Sequence, residues 1–323
     1  MNEHFIREIE IQDYKLFKNF KAEGLGRVNL IGGKNNVGKT AFMEAICINV
    51  YSNDLATLTK VLSSPKLARE YLEIGYRLLE KHEIESALDS IKNYESFSNI
   101  RKIKFEIFDK DGVKKYLFFI DDKSIQININ DFSYEMKRVS NIKFITQLGY
   151  TKAQLKEVFE AVQRKDKESV LYKYINEFDD NILNFKIIGG DKPQCKIKSG
   201  EYIDINDFGD GLKHWISMIC SLYACENGYM FVDEIDNGLH YTMLDKLWEI
   251  ILTISKEQNV QVFATTHSKE CIESYARVAK KLEDDEIGFI ELGRNKEDKI
   301  RAIVMDSRRF FRELEANNEV RGW

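Results

Sequence analysis

Residues 33–40 read Gly33-Lys34-Asn35-Asn36-Val37-Gly38-Lys39-Thr40 and match G-x-x-x-x-G-K-[ST] at every fixed position. That spacing suits the capture of a polyphosphate. Glycines let the backbone curl until successive N–H groups converge on one anion. A helix opening near Gly38 and running on through Ala41 adds the positive end of its dipole. Lys39 has the reach to meet β- and γ-phosphates, and the Thr40 hydroxyl is an oxygen ligand suited to Mg²⁺. Two more chemical groups stand far downstream, the carboxylate pair Asp233-Glu234 and the polar run Thr265-Thr266-His267-Ser268.

These groups form one site only if the fold gathers them. Val28–Ile31 is a short apolar run that reads as a strand feeding the loop, and Ala41–Ile46 reads as the helix leaving it. Tyr229-Met230-Phe231-Val232 is continuously apolar, as a strand buried on both faces requires, and it ends in the two carboxylates. Val260–Thr265 reads as another strand, and His267 follows it. Between the two, Leu244, Leu247, Trp248 and Ile251 trace the inner face of a crossover helix. Ligands bind outside the carboxyl ends of parallel strands, so all three groups are expected on one sheet edge. Asp233 is there to hold Mg²⁺ through its water shell, and Glu234 to take a proton from the water attacking the γ-phosphate. A lone histidine is more often structural, but this edge makes His267 a γ-phosphate contact.

Another glycine segment, Asp207-Phe208-Gly209-Asp210-Gly211-Leu212-Lys213-His214, opens a helix with Leu212, Trp215, Ile216, Ile219 and Tyr223 on its apolar face. Glycines at a helix N-terminus are a second anion-binding arrangement. Alone the segment would be an ordinary turn. Its place just before the acidic strand gives it weight.

The remaining chain reads as supporting structure. Ile9 and Ile11 alternate with Glu8 and Glu10 in an opening strand, and residues 53–98 look like an inserted helical lobe. Phe105–Phe108 and Tyr116–Ile120 flank an Asp-Gly hairpin turn. Amphipathic helices run through Leu155–Val162 and Leu171–Ile175, a polar turn at Gly293–Lys299 separates two short strands, and 308–318 reads as a final helix. With 323 residues, 43% hydrophobic and 31% charged, the chain is large enough for one α/β domain with insertions. Its net charge of −5 argues against wholesale attraction to nucleic acid. The 5 cysteines are scattered without zinc-site spacing, which fits buried free thiols in a reducing compartment. The charged start excludes a usual signal peptide, and no apolar run approaches a membrane span. A cytoplasmic location without membrane contact is expected.

In their order, the phosphate loop, the glycine signature, the apolar strand ending in Asp-Glu, the turn after it and the histidine resemble the ABC-class P-loop ATPases of the SMC, RecF and OLD lineage. DFGDGLKHWISMICSLYACENGYMFVDEIDNGLH and NVQVFATTHSKECIE are most similar to small prokaryotic AAA-family ATPases grouped near OLD nucleases. The likeness extends from EIQDYKLFKNF to the closing EVRGW. It implies an α/β ABC-type P-loop NTPase: a mixed, mainly parallel core sheet, an antiparallel β subdomain and an inserted helical lobe. Residues 1–323 then form a single domain, with helical insertions at 53–98 and about 150–185 and core segments 1–52 and 200–305. The cofactors implied are ATP and Mg²⁺, and the partner a second copy closing over the nucleotide. Gly209, Asp210 and Gly211 would act across that dimer, and Asp236, Asn237 and Gly238 would begin a D-loop running to His240. Gln147, in FITQLGY, would sense Mg²⁺ and water. Many relatives begin the signature with serine, where this chain has Gly209, so backbone amides would have to make that contact.

OLD-type nucleases continue into a metal-binding Toprim domain, for which the residues after His267 are too few. The expected activity is ATP hydrolysis driving a dimerisation switch, as sensor or motor of an anti-phage system with a separately encoded effector such as a nuclease. The alternative is a DNA-repair ATPase resembling RecF, with Arg101-Lys102, Lys114-Lys115 and Arg308-Arg309 as candidate contacts to DNA or RNA. A third reading is a GTPase switch, because Asn295-Lys296-Glu297-Asp298 matches N-K-x-D. Solvated surface charge is the ordinary explanation of those basic pairs.

Overall fold

The computed structural model describes residues 4–50, 102–109, 112–120, 125–129, 141–147, 149–190, 192–295 and 299–316. The helical lobe expected at 53–98, residues 296–298 of the N-K-x-D match and the closing EVRGW lie outside them. In chain order the strands are β1 (Glu8–Tyr14), β2 (Phe17–Glu23), β3 (Val28–Gly33), β4 (Lys102–Asp109), β5 (Gly112–Ile120), β6 (Ile125–Ile129) and β7 (Ile142–Ile145). They continue with β8 (Ile182–Ile188), β9 (Lys192–Ile197), β10 (Tyr202–Asp204), β11 (Tyr229–Val232), β12 (Gln261–Thr265), β13 (Ile287–Arg294) and β14 (Ile300–Asp306). The helices are α1 (Lys39–Val50), α2 (Lys152–Arg164), α3 (Glu168–Phe178), α4 (Asp210–Ala224), α5 (Leu244–Glu257), α6 (Lys269–Lys281) and α7 (Ser307–Glu315).

The central sheet runs β14–β13–β3–β12–β11–β7. Every pairing is parallel except β13 with β14. Its inner strands are apolar on both faces because both faces are covered. Val28, Leu30, Met230, Val232, Val262 and Ala264 point into one core, lined by α4, α5 and α6 with Trp215, Trp248 and Tyr275. Ile31, Phe231 and Phe263 point into the other, shared with α1 and the β1–β2 hairpin through Phe17, Phe20 and Phe42. On that second face Phe144, Phe231 and Phe263 stack across three neighbouring strands, at 6.1 and 5.6 Å between centroids. This ladder fixes strand register as well as burying area.

Two antiparallel sheets flank the centre, one ordered β2–β1–β4–β5–β6 and the other β10–β9–β8. The fold is therefore the mixed, mainly parallel α/β arrangement with an antiparallel β portion that the resemblance implies. The five cysteines are free and buried. Two features differ from the expected division of the chain. The edge strand β7 lies at 142–145, outside the core segments 1–52 and 200–305, and Lys143 interrupts the apolar run that would have marked it. The stretch near 150–185 ends in β8, and its helices are no appendage. Leu155, Val158, Phe159 and Val162 of α2 share the core of the central sheet.

Candidate functional site

The loop between β3 and α1 turns tightly against its neighbours. Gly33 has φ 145°, and a Cβ there would stand 2.5 Å from the Leu292 carbonyl oxygen. Only glycine fits. Val37 anchors the loop in the core while Lys34, Asn35 and Asn36 remain exposed. Lys39, in the first turn of α1, folds its ammonium back into the loop and donates to the carbonyls of Gly33 (2.8 Å) and Lys34 (3.0 Å). Burial pulls its pKa down to about 8, and the nearby Asp233 and Glu234 act in the opposite direction. A buried cation held against a glycine loop suits the capture of a polyanion.

The acidic strand ends directly across from this loop. The Thr40 hydroxyl donates to Asp233, 3.1 Å from Oδ1 and 3.3 Å from Oδ2. Thr265, at the end of β12, donates its own hydroxyl to Asp233 Oδ1 at 2.6 Å and accepts the Glu234 N–H at 2.8 Å. One buried threonine thus aims both carboxylate residues. Glu234 adopts φ 53°, in the left-handed region. For a non-glycine residue this costs roughly 1–2 kcal/mol, and such strain concentrates at working sites. The turn swings the glutamate toward His267, whose Nε2 lies 3.0 Å from Oε1. Next door, Thr266 donates to Asp236 at 2.7 Å and accepts the Ser268 N–H at 3.0 Å. Ser268 caps α6 by accepting the Cys271 N–H.

Lys39, Thr40, Asp233, Glu234 and His267 are accordingly brought to one sheet edge, and Ala41 continues the first turn of α1. Gln147 lies just past β7 at the same edge, exposed. Its backbone carbonyl accepts the Asn237 side-chain N–H at 2.7 Å. Gly209 and Asp210 are exposed at the start of α4, whereas Gly211 is buried. A Cβ on Gly211 would meet the Gly238 carbonyl oxygen at 2.2 Å. The signature helix and the turn after the acidic strand therefore touch backbone to backbone within one chain. Behind this contact lies His214, whose ring nitrogens make no well-formed hydrogen bond and whose polar neighbour is the Ile235 backbone. Burial lowers its pKa to about 4.

Sequence reasoning missed Thr265 and Thr266 as positioning residues. Threonine in a strand is read as a β-former, and only the paired hydroxyls before His267 hinted at more. The Mg²⁺ expectation can be weighed on the donor set. A threonine hydroxyl beside a carboxylate, both hard oxygens, fits a cation that keeps water and phosphate in its remaining positions. Among the described residues no cluster of three or more His, Cys, Asp or Glu is suited to holding a metal ion by itself.

A family model described as AAA ATPase domain matches residues 82–272, a span that holds the acidic strand, the glycine signature and His267. An ATP/GTP phosphatase of Helicobacter pylori is 26% identical over 328 residues, covering 85% of this chain and 88% of its own. Among solved structures, an Smc head bound to the C-winged helix domain of ScpA superposes with TM-score 0.54 at 12% identity, covering 94% of this chain and 98% of its own. The Pyrococcus furiosus Smc head with an extended coiled coil, bound to the C-terminal domain of ScpA, gives TM-score 0.51 at 11% identity over 97% and 99%. At such identities these structures share the fold. The chain belongs to the AAA ATPase domain family and is a P-loop ATPase with the fold of the Smc heads.

Proposed function

We propose that this ATPase is an ATP-driven dimerisation switch, the sensor or motor of a prokaryotic anti-phage system that acts through a separately encoded effector. The observation that carries the catalytic part is the pairing of Thr40 with Asp233 and of His267 with Glu234 on one sheet edge. The defence role rests on the resemblance to OLD-related ATPases. Thr40 and Asp233 would hold Mg²⁺, which when bound neutralises charge on the β- and γ-phosphates. Lys39 exchanges the Gly33 and Lys34 carbonyls for phosphate oxygens. Glu234 accepts a proton from the attacking water, and His267 orients that carboxylate and meets the γ-phosphate. Gly209 and Asp210 are exposed at a helix N-terminus, which suits them to a nucleotide held by a second copy.

The test is hydrolysis by the purified chain with Mg²⁺, with chelator, and as Asp233→Asn. Phosphate release is expected only in the first condition. Release that continues undiminished in Asp233→Asn counts against the assignment. The name of the Helicobacter pylori relative makes GTP worth including as competitor.

A further inference from the structure

The outer face of the sheet β8–β10 is built from residues that the nucleotide site does not use. Its register places Asn184, Lys196 and Tyr202 in one cross-strand row and Lys186, Gln194 and Asp204 in the next. Ile188 and Lys192 make a third. The opposite face buries Phe185 and Cys195 in the main core. Lys186 and Lys192 are exposed, and the Lys196 ammonium lies 5.9 Å from the Tyr202 ring centroid. Among the described residues none of these three lysines forms an ion pair, although Lys143, Lys152, Lys165, Lys167, Lys198 and Lys246 all do. Asp204, the carboxylate in the rows, is engaged by Lys152 and by Asn206. Of the five large apolar side chains exposed among the described residues, Leu183, Ile188 and Tyr202 belong to this sheet.

We propose that this face binds single-stranded nucleic acid. Unpaired lysines leave a local positive field on a chain of net charge −5, which attracts a phosphodiester backbone. Lysine, glutamine and tyrosine are side chains that contact phosphate and sugar. On the same face Tyr202 offers a ring on which an unstacked base can lie, and Ile188 adds exposed apolar area. A duplex hides its bases and would leave that area wet. An acidic protein segment could satisfy the charges, but lysine is depleted in protein–protein interfaces. None of these residues lines the ATP site, so failure of this proposal leaves the ATPase reading untouched.

The experiment is fluorescence anisotropy of a labelled oligothymidylate of about 20 nucleotides, long enough for one such platform, titrated with the full chain at several salt concentrations. The wild type is expected to bind at low salt. Lys186→Glu/Lys192→Glu/Lys196→Glu should weaken binding more than tenfold and flatten the plot of log affinity against log salt by about 2, for three lost phosphate contacts. Tyr202→Ala should weaken binding about tenfold with the slope unchanged. Basal ATP hydrolysis and the circular dichroism spectrum report whether each variant is folded, and a triple Lys→Gln variant replaces the reversal if it is not. No binding by the wild type at low salt, or unchanged affinity and slope in a folded triple variant, would overturn the proposal.

Discussion

Two hydroxyls and a strained glutamate arrange the acidic pair at the scale of single residues. Thr40 and Thr265 both donate to Asp233, which fixes the direction of that carboxylate. Glu234 is aimed by its left-handed backbone and by His267. Replacing it with glutamine keeps the volume and the hydrogen-bond reach but removes the proton acceptor. Glu234→Gln should therefore hydrolyse ATP about 10²–10⁴-fold more slowly while its ATP affinity stays within a few-fold. Single-turnover phosphate release and equilibrium binding separate the two, and wild-type turnover would exclude Glu234 as the base. Lys39→Ala removes the buried cation of the loop, and ATP binding should be lost in the same titration. The residues of this site were legible because type and order suffice: a G-x-x-x-x-G-K-[ST] loop, Asp-Glu after an apolar strand, and a histidine after the next. Thr265 was not, because its role depends on a partner 32 positions away in the chain.

At the scale of elements, the contact between α4 and the turn after β11 governs what mutations can report. Gly211→Ala forces a methyl toward the Gly238 carbonyl oxygen, which a Cβ would meet at 2.2 Å. Overpacking of this kind costs about 1–3 kcal/mol, so thermal denaturation should show a lower Tm for Gly211→Ala. The exposed Asp210→Ala loses only an acidic side chain from the first turn of α4 and should lower Tm less, which makes it the cleaner probe of a partner's nucleotide. An unaltered Tm in Gly211→Ala would mean that helix and turn separate easily. His214 adds a pH signature to the same contact. Its pKa falls from 6.5 to about 4 on burial, so the unfolded chain takes up a proton that the folded chain refuses between those values. Stability is then lost as pH falls through that window, by about 2 kcal/mol between pH 7 and pH 5. Denaturant titrations of wild type and His214→Leu at both pH values test this, since the variant should lack that component. Helix α4 was legible from its apolar spacing. Its backbone contact with Gly238 was not, since nothing in a glycine's identity names the neighbour it admits.

Over the whole molecule, the central sheet divides two cores, and the continuously apolar runs that this demands made the parallel strands readable. The edges were harder. β7 is four residues long with a lysine inside it, β8 and β9 set lysines among apolar residues, and β10 has only three residues. Such strands are specified by the neighbours they pair with. One edge of the sheet collects the loop, the carboxylates and the histidine, while the exposed start of α4 looks outward from the same region. In the proposed switch a second copy completes each site. Size-exclusion chromatography with light scattering on Glu234→Gln tests it most directly. ATP with Mg²⁺ should convert a 37.8 kDa species into one of twice that mass, and ADP should not. A mass unchanged by ATP, with ATP shown to be bound, would contradict the switch.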